Sequence, residues 1–324
     1  MKTMLAAGFS SLFLASFVNA QTAPLMPGDP IPLPGSTGRY DFIQFDAVSD
    51  RLLLGHEENK SFDVFDPASR QLKVIPTGTS QDAAVDVKNG LYYVSGNDPG
   101  QMVIVDAKTL TIAGQVPLSA ATDLIGYDPQ TGLVHICNDT AAEQWVIDPV
   151  TKKIVTTIEF DGTGLEDMAL DLKNRRLYQA VKGANTIAEV DLDSNKVLAA
   201  WPLAPDKGPH GIALVPDSNN LLVACANNLV MLGCSSGKVL ATAPIGARVD
   251  EMTYDPGLHM AYCASRMGKI SVVSVGADTL TSVGDVPDIT RTGDITVDPG
   301  THTVWIAYPK GGKCFAQPFT PVRK

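Results

Sequence analysis

The sequence predicts an all-β chain: seven similar four-stranded units closed into a ring, with an N-terminal strand completing the last unit. Three observations carry this expectation. A short apolar run, almost always ending in Asp, recurs seven times at spacings of 40 to 44 residues. Each copy is followed by further short runs rich in Val, Ile, Leu and Tyr, separated by turn residues. No stretch sustains the 3.6-residue period of an amphipathic helix.

The marker runs are FIQFD (42–46), DAAVD (82–86), LIGYD (124–128), DMALD (167–171), GIALV (211–215), EMTYD (251–255) and DITVD (294–298). Six of the seven end in Asp, and the exception, Val215, is followed by Pro216 and Asp217. A second run follows each turn, as in LLLGH (52–56), LYYVSG (91–96), LYQAVK (177–182) and LLVACA (221–226). Third runs such as FDVFD (62–66) and MVIVD (102–106) come next, then fourth segments such as DAKTLTIAGQVPL. Four strands repeated at this period make the blade of a β-propeller. The seventh copy is short, because after a third strand near Lys313–Gln317 only PFTPVRK remains. The surplus lies at the other end, in DPIPLPG (29–35). Ile31–Leu33 are therefore expected to supply the missing outer strand, since an open ring leaves unpaired blade faces.

The 324 residues are 44% hydrophobic and 19% charged, enough to bury a large core. Residues 1–20, MKTMLAAGFSSLFLASFVNA, read as a cleaved export signal with Val18-Asn19-Ala20 before the cut, leaving a single domain over 21–324. The expected location is periplasmic or secreted, and the expected state a monomer without a membrane span. A formal charge of −10 makes nucleic acid a poor partner. The five cysteines (137, 225, 234, 263 and 314) show no zinc-ligand spacing and read mainly as buried apolar residues; one bridge between neighbouring blades stays open.

The segments LYYVSGN, GIALVPDSNNLLVACANN and VDAKTLTIAGQV resemble the YVTN-type repeats of YncE-like seven-bladed propellers, a likeness covering roughly residues 30–320. The resemblance implies an exported protein with a binding face at one end of the ring. The Trp-Asp pair of the WD40 type is absent, as are zincin, P-loop and dinucleotide-binding fingerprints.

Innermost strands line a propeller's channel, so the residue five before each marker end should face one mouth. These are Asp41, Gln81, Asp123, Glu166, His210, Asp250 and Gly293. The next residue adds Asp82, Asp167, Glu251 and Asp294, which by alternation should point away from the channel. Two readings of these carboxylates stand side by side. They bond backbone N–H groups of neighbouring blades, or they converge on a hard divalent cation such as calcium. In the second reading Asp41, Glu166 and Asp250 hold the metal while Asp123 and His210 act as base and acid, as in a lactonase-like hydrolase or lyase. That hydrolase is the alternative to the first reading of function, a binding or scaffold protein whose mouth takes up a small polar molecule or a protein partner. The loop residues Arg39, His56, Glu57, Lys182, Arg248, Arg266, Arg291 and Lys310 then form the ligand-binding rim.

Overall fold

The structure is a computed structural model that describes residues 23–287, 290 and 292–322; the export signal expected over 1–20 and Arg291 lie outside the described residues. Seven antiparallel sheets succeed one another along the chain. Blade one consists of Ile43–Asp46, Arg51–His56, Ser61–Asp66 and Gln71–Ile75, and blades two to six repeat that order up to Leu280–Pro287. Blade seven contributes Ile295–Val297, Val304–Lys310 and Lys313–Pro321. Its outer edge is taken by the N-terminus, as the surplus there predicts: Ile31–Leu33 pair with Cys314–Ala316. A further piece, Leu25–Pro27, pairs with Phe319–Pro321, so the third strand runs longer than its apolar core shows in the sequence. Among the described residues no helix is long and apolar enough to cross a membrane.

Burial is greatest in the second and third strands of each blade and falls toward the rim. Second strands such as Leu91–Gly96 and Leu133–Asn138 are buried at five of six positions, because blades pack on both faces. Outer strands are mostly exposed and tuck in one side chain near their ends, namely Val116, Ile158, Trp201, Ala243 or Val286. All five cysteines are buried and free, so no bridge joins the blades.

The recurring Asp closes the turn after the inner strand. Asp46 accepts from the Val48 amide at 3.0 Å, Asp128 from Gln130 at 2.9 Å and Asp255 from Gly257 at 2.9 Å. The same carboxylates also reach the following blade. Tyr92 donates to Asp46 at 2.7 Å, Arg175 to Asp128 at 2.8 Å, and His302 Nδ1 lies 2.8 Å from Asp255.

Inner strands carry a second device at the opposite end. In blades two, three, four and six the pairing with the second strand slips by one residue. Gln81 and Asp82 together face Ser95, residues 123 and 124 face Cys137, 166 and 167 face Ala180, and 250 and 251 face Ala264. Such a bulge breaks strict alternation and frees two adjacent side chains from the ladder geometry. The Asp82 amide that the slip releases is taken by Ser95 Oγ at 2.9 Å.

The second residue of each pair in the even blades then staples the next blade. Asp82 accepts from the Ile125 amide at 3.1 Å, and Asp167 from the Ile212 amide at 2.9 Å. Glu251 accepts from Ile295 at 2.6 Å with one oxygen and from Ile43 at 2.9 Å with the other. The blade-packing reading therefore describes these three carboxylates. Between blades one and two the backbone itself makes the link, Phe42 N–H donating to the Gln81 carbonyl at 3.1 Å. Gly55 permits that approach: a Cβ there would stand 1.7 Å from the Gln81 oxygen.

Two stability outcomes follow. Removing residues 23–35 takes away the buried Leu25, Ile31 and Leu33 and uncovers the edge of Lys313–Pro321 that they cover, and should lower Tm by about 8 °C or more; thermal denaturation checks it, and an unchanged Tm would show that the ring closes without this segment. Glu251→Asp shortens the double acceptor by one methylene and strands one buried amide. It should cost about 1–3 kcal/mol, or about 2–6 °C in Tm.

Candidate functional site

The bulged inner strands and the loops after the second strands build a cavity of ≈ 260 Å³ at one mouth of the channel. Its wall includes Asp41, Gln81, Asp123, Glu166, His210 and Asp250, six of the seven residues that the repeat register points there. The seventh is Gly293, and its place is filled from elsewhere. A Cβ at 293 would lie 2.5 Å from the Asp250 Cβ and 2.9 Å from Arg266 Nε. The missing side chain thus makes room for the Arg266 guanidinium, whose Nε donates to Asp250 at 2.6 Å.

Half of the wall is a continuous chain of charge pairs. Lys182 donates to Glu166 Oε1 at 2.7 Å, His210 Nε2 stands 2.9 Å from Glu166 Oε2 and 3.4 Å from Asp250 Oδ1, and Arg266 completes the arc on Asp250. Desolvation opposes charge on both Glu166 and His210 and is the largest single influence on each. The bond between them, together with Lys182 on Glu166 and Asp250 on His210, outweighs it, holding the Glu166 carboxyl below the usual range and the imidazole above its own. The other half differs. Arg39 pairs with Glu57 and stands 3.6 Å from Asp41, while Asp123 has no ion pair or hydrogen bond among the described residues. Burial and the repulsion of Asp250 and Glu57 push Asp41 up to about 7; burial and Asp41 raise Asp123 well above the carboxylate range.

Several rim assignments need correction. His56 does not face ligand: it is fully buried, stacks on Tyr40 with centroids 4.0 Å apart, and bonds Asp63 at 2.9 Å through Nδ1. Ser36 and Ser61 donate to the same carboxylate at 2.6 and 2.7 Å, so this group ties the N-terminal segment to blade one. The second strand runs one residue further than a loop reading allows, which draws His56 inside. Arg248 and Lys310 are exposed but do not line the cavity, and Arg291 lies outside the described residues. Arg39, Glu57, Lys182 and Arg266 do gather at the mouth. Asp41, Glu166 and Asp250 share the cavity, yet among the described residues no three His, Cys, Asp or Glu groups converge as a metal site; each of the three carboxylates has a cationic neighbour instead. Asn97 and Asp139, joined at 3.2 Å, also line the mouth from the loops after the second strands of blades two and three.

The buried carboxylates give stability a pH dependence. Desolvation pushes Asp82 up to about 8 and Asp167 to about 7, N–H donors offsetting part of it. Between pH 4 and 8 the folded chain thus holds protons that the unfolded chain has released, so stability falls as pH rises. Loss of the proton on His210, whose folded value is raised, acts in the same direction above neutrality. Tm should drop by several degrees from pH 5 to pH 8.5, and Asp123→Asn should flatten that slope; denaturation across pH checks both.

No family model matches the chain. Two curated relatives do, the proteins named YncE of Salmonella typhi and of Salmonella typhimurium (strain LT2), at 26% and 25% identity over 215 residues. The match spans 61% of this chain and 60% of theirs. Among solved structures, a chain of a mitotic checkpoint complex superposes with a TM-score of 0.78 at 13% identity, covering 100% of this chain and 99% of that one. A chain of Kuenenia stuttgartiensis hydrazine synthase gives 0.75 at 13% identity, covering 90% and 99%. At such identities the structural likeness establishes the fold alone. Blade count, strand order and relatives together make this chain a YncE-like seven-bladed β-propeller.

Proposed function

We propose that the chain is an exported binding propeller whose ligand site is the cavity at the acidic mouth, and that it holds its ligand without transforming it. The observation that favours binding over catalysis is the state of His210. Its Nε2 is engaged by Glu166 and Asp250, and its Nδ1 is buried without a partner, so neither nitrogen is presented to a molecule in the cavity. A general acid or base must reach the proton it moves. Export is supported by the composition of residues 1–20. A cavity of ≈ 260 Å³ suits a small polar molecule or the tip of a partner's side chain.

The reading is tested by closing the mouth. Asn97 stands at the rim, half-buried, and Asn97→Trp should obstruct entry with little change in Tm. A screen of small cations, anions and neutral polar molecules should yield at least one that raises the wild-type Tm by several degrees and leaves the variant unmoved. Equal shifts in both proteins would place the site elsewhere. Turnover of a lactone or ester that needs added calcium and disappears in Asp250→Asn would replace binding by metal-assisted hydrolysis.

A further inference from the structure

The two halves of the mouth differ in what they leave unsatisfied, and the difference specifies the ligand. In the half built by blades four to six the carboxylates of Glu166 and Asp250 are already met by Lys182, His210 and Arg266. In the half built by blades one to three, Asp123 has no cationic neighbour among the described residues, and Asp41 shares its cations: Arg39 at 3.6 Å is also paired with Glu57, and Arg266, whose charge favours ionised Asp41, is bonded to Asp250.

Carboxylates alone do not make a site, but Gln81 adds an independent observation. It belongs to blade two, so the ring places it between Asp41 and Asp123, and it lines the same cavity. It is only 7% exposed, and its Oε1 has no hydrogen-bond partner. Its backbone is fixed, the carbonyl accepting from Phe42 and packing on Gly55, so the side chain has little freedom to find a partner elsewhere. A buried amide oxygen without a donor costs free energy that a donor-bearing ligand recovers. Once the carboxylates are ionised, Asp41, Asp123 and Gln81 Oε1 all present acceptor oxygens, and what these oxygens lack is N–H donors with positive charge.

We propose, building on the binding function above, that the ligand presents an organic cation, a primary ammonium or a guanidinium, to the gap between Asp41 and Asp123 with one N–H on Gln81 Oε1. Such a group offers several donors from one charged centre, which matches three acceptors on three adjacent strands. A bare metal ion fits less well, since no three ligating groups converge among the described residues. The cation could belong to a free amine or to a Lys or Arg side chain of a partner, and both offer the same chemistry to the wall.

The test measures binding by calorimetry and thermal shift with agmatine, butylammonium, a blocked Gly-Gly-Arg-Gly-Gly peptide, butanol, butyrate and calcium chloride. At least one of the first three should bind wild type, and butanol and butyrate should not. If the peptide binds tighter than agmatine the source is a protein side chain; the reverse order makes it a free amine. Asp123→Asn should weaken the cation at least about tenfold and Gln81→Leu about threefold or more. Asp278→Asn, which removes the same charge from an exposed turn, should leave affinity unchanged. Should either mouth variant fail to fold, the ranking of the six compounds on wild type decides alone. Binding of butyrate or butanol that Asn97→Trp abolishes would overturn the cation while keeping the mouth as the site. Calcium binding tighter than every amine, lost in Asp123→Asn, would replace the organic cation by a metal. Failure of all six to bind would overturn the cation, whereas only failure of the wider screen would overturn the binding function.

Discussion

Everything at the channel depends on Glu251. The inner strands are held side by side through a donor and acceptor scheme that alternates around the ring. Even blades offer a carboxylate from Asp82, Asp167 or Glu251, and the next blade offers an isoleucine amide, from Ile125, Ile212 or Ile295. Such alternation closes on itself only with an even number of blades, and this ring has seven. Blades seven and one therefore meet as two donors. Glu251 resolves the conflict by using both oxygens, one for Ile295 and one for Ile43, and it is the staple with the longer side chain. Both amides are thereby satisfied in a place where water cannot substitute.

The staples and the mouth come from one local feature. At each bulge two consecutive residues face a single partner on the second strand, so both side chains leave the ladder together. The first enters the cavity and the second crosses to a neighbouring blade. This is why acidic residues crowd two adjacent positions in the sequence without competing: Glu166 meets Lys182 and His210 while Asp167 takes the Ile212 amide. Strict alternation assigns the second residue to the side away from the channel. In the structure Asp167 and Glu251 still border the cavity while serving as staples.

How much of this was readable from the chain depends on the range of the interaction concerned. The repeat was legible because the turn-closing Asp acts within three residues, as at Asp46 and Val48, and is renewed in nearly every blade. The ring of mouth residues was legible too, since a fixed offset from that Asp survives the bulge. What stayed hidden runs between blades or along a strand end. Arg266 enters the mouth because Gly293, in another blade, has no side chain. His56 is internal because its strand continues one residue beyond the apolar run, and because Asp63 and Ser36 supply its buried partners. Neither relation leaves a mark in local composition, and a polar residue at a strand end reads as a loop until its partner is placed.

The segregation of charge across the mouth is nonetheless written at one defined position, the residue directly after the second strand. In blades one, two and three that residue is Glu57, Asn97 and Asp139; in blades four and six it is Lys182 and Arg266. The cations are set so that each neutralises a carboxylate of its own blade, Glu166 or Asp250, and none reaches Asp123 among the described residues. Had the cations been spread evenly round the ring, every carboxylate would be paired and the cavity would be a closed polar plug. Confined to one side, they leave a charge-balanced arc facing an arc with an excess of carboxylates, with the unpartnered Gln81 Oε1 buried in the middle of the second. Burial and the neighbouring carboxylates hold Asp41 and Asp123 above the usual carboxylate range, so a positive group placed between them would favour their ionisation and deepen the negative potential. In the proposed binding mode, cation uptake and proton release at this mouth are therefore two sides of a single equilibrium.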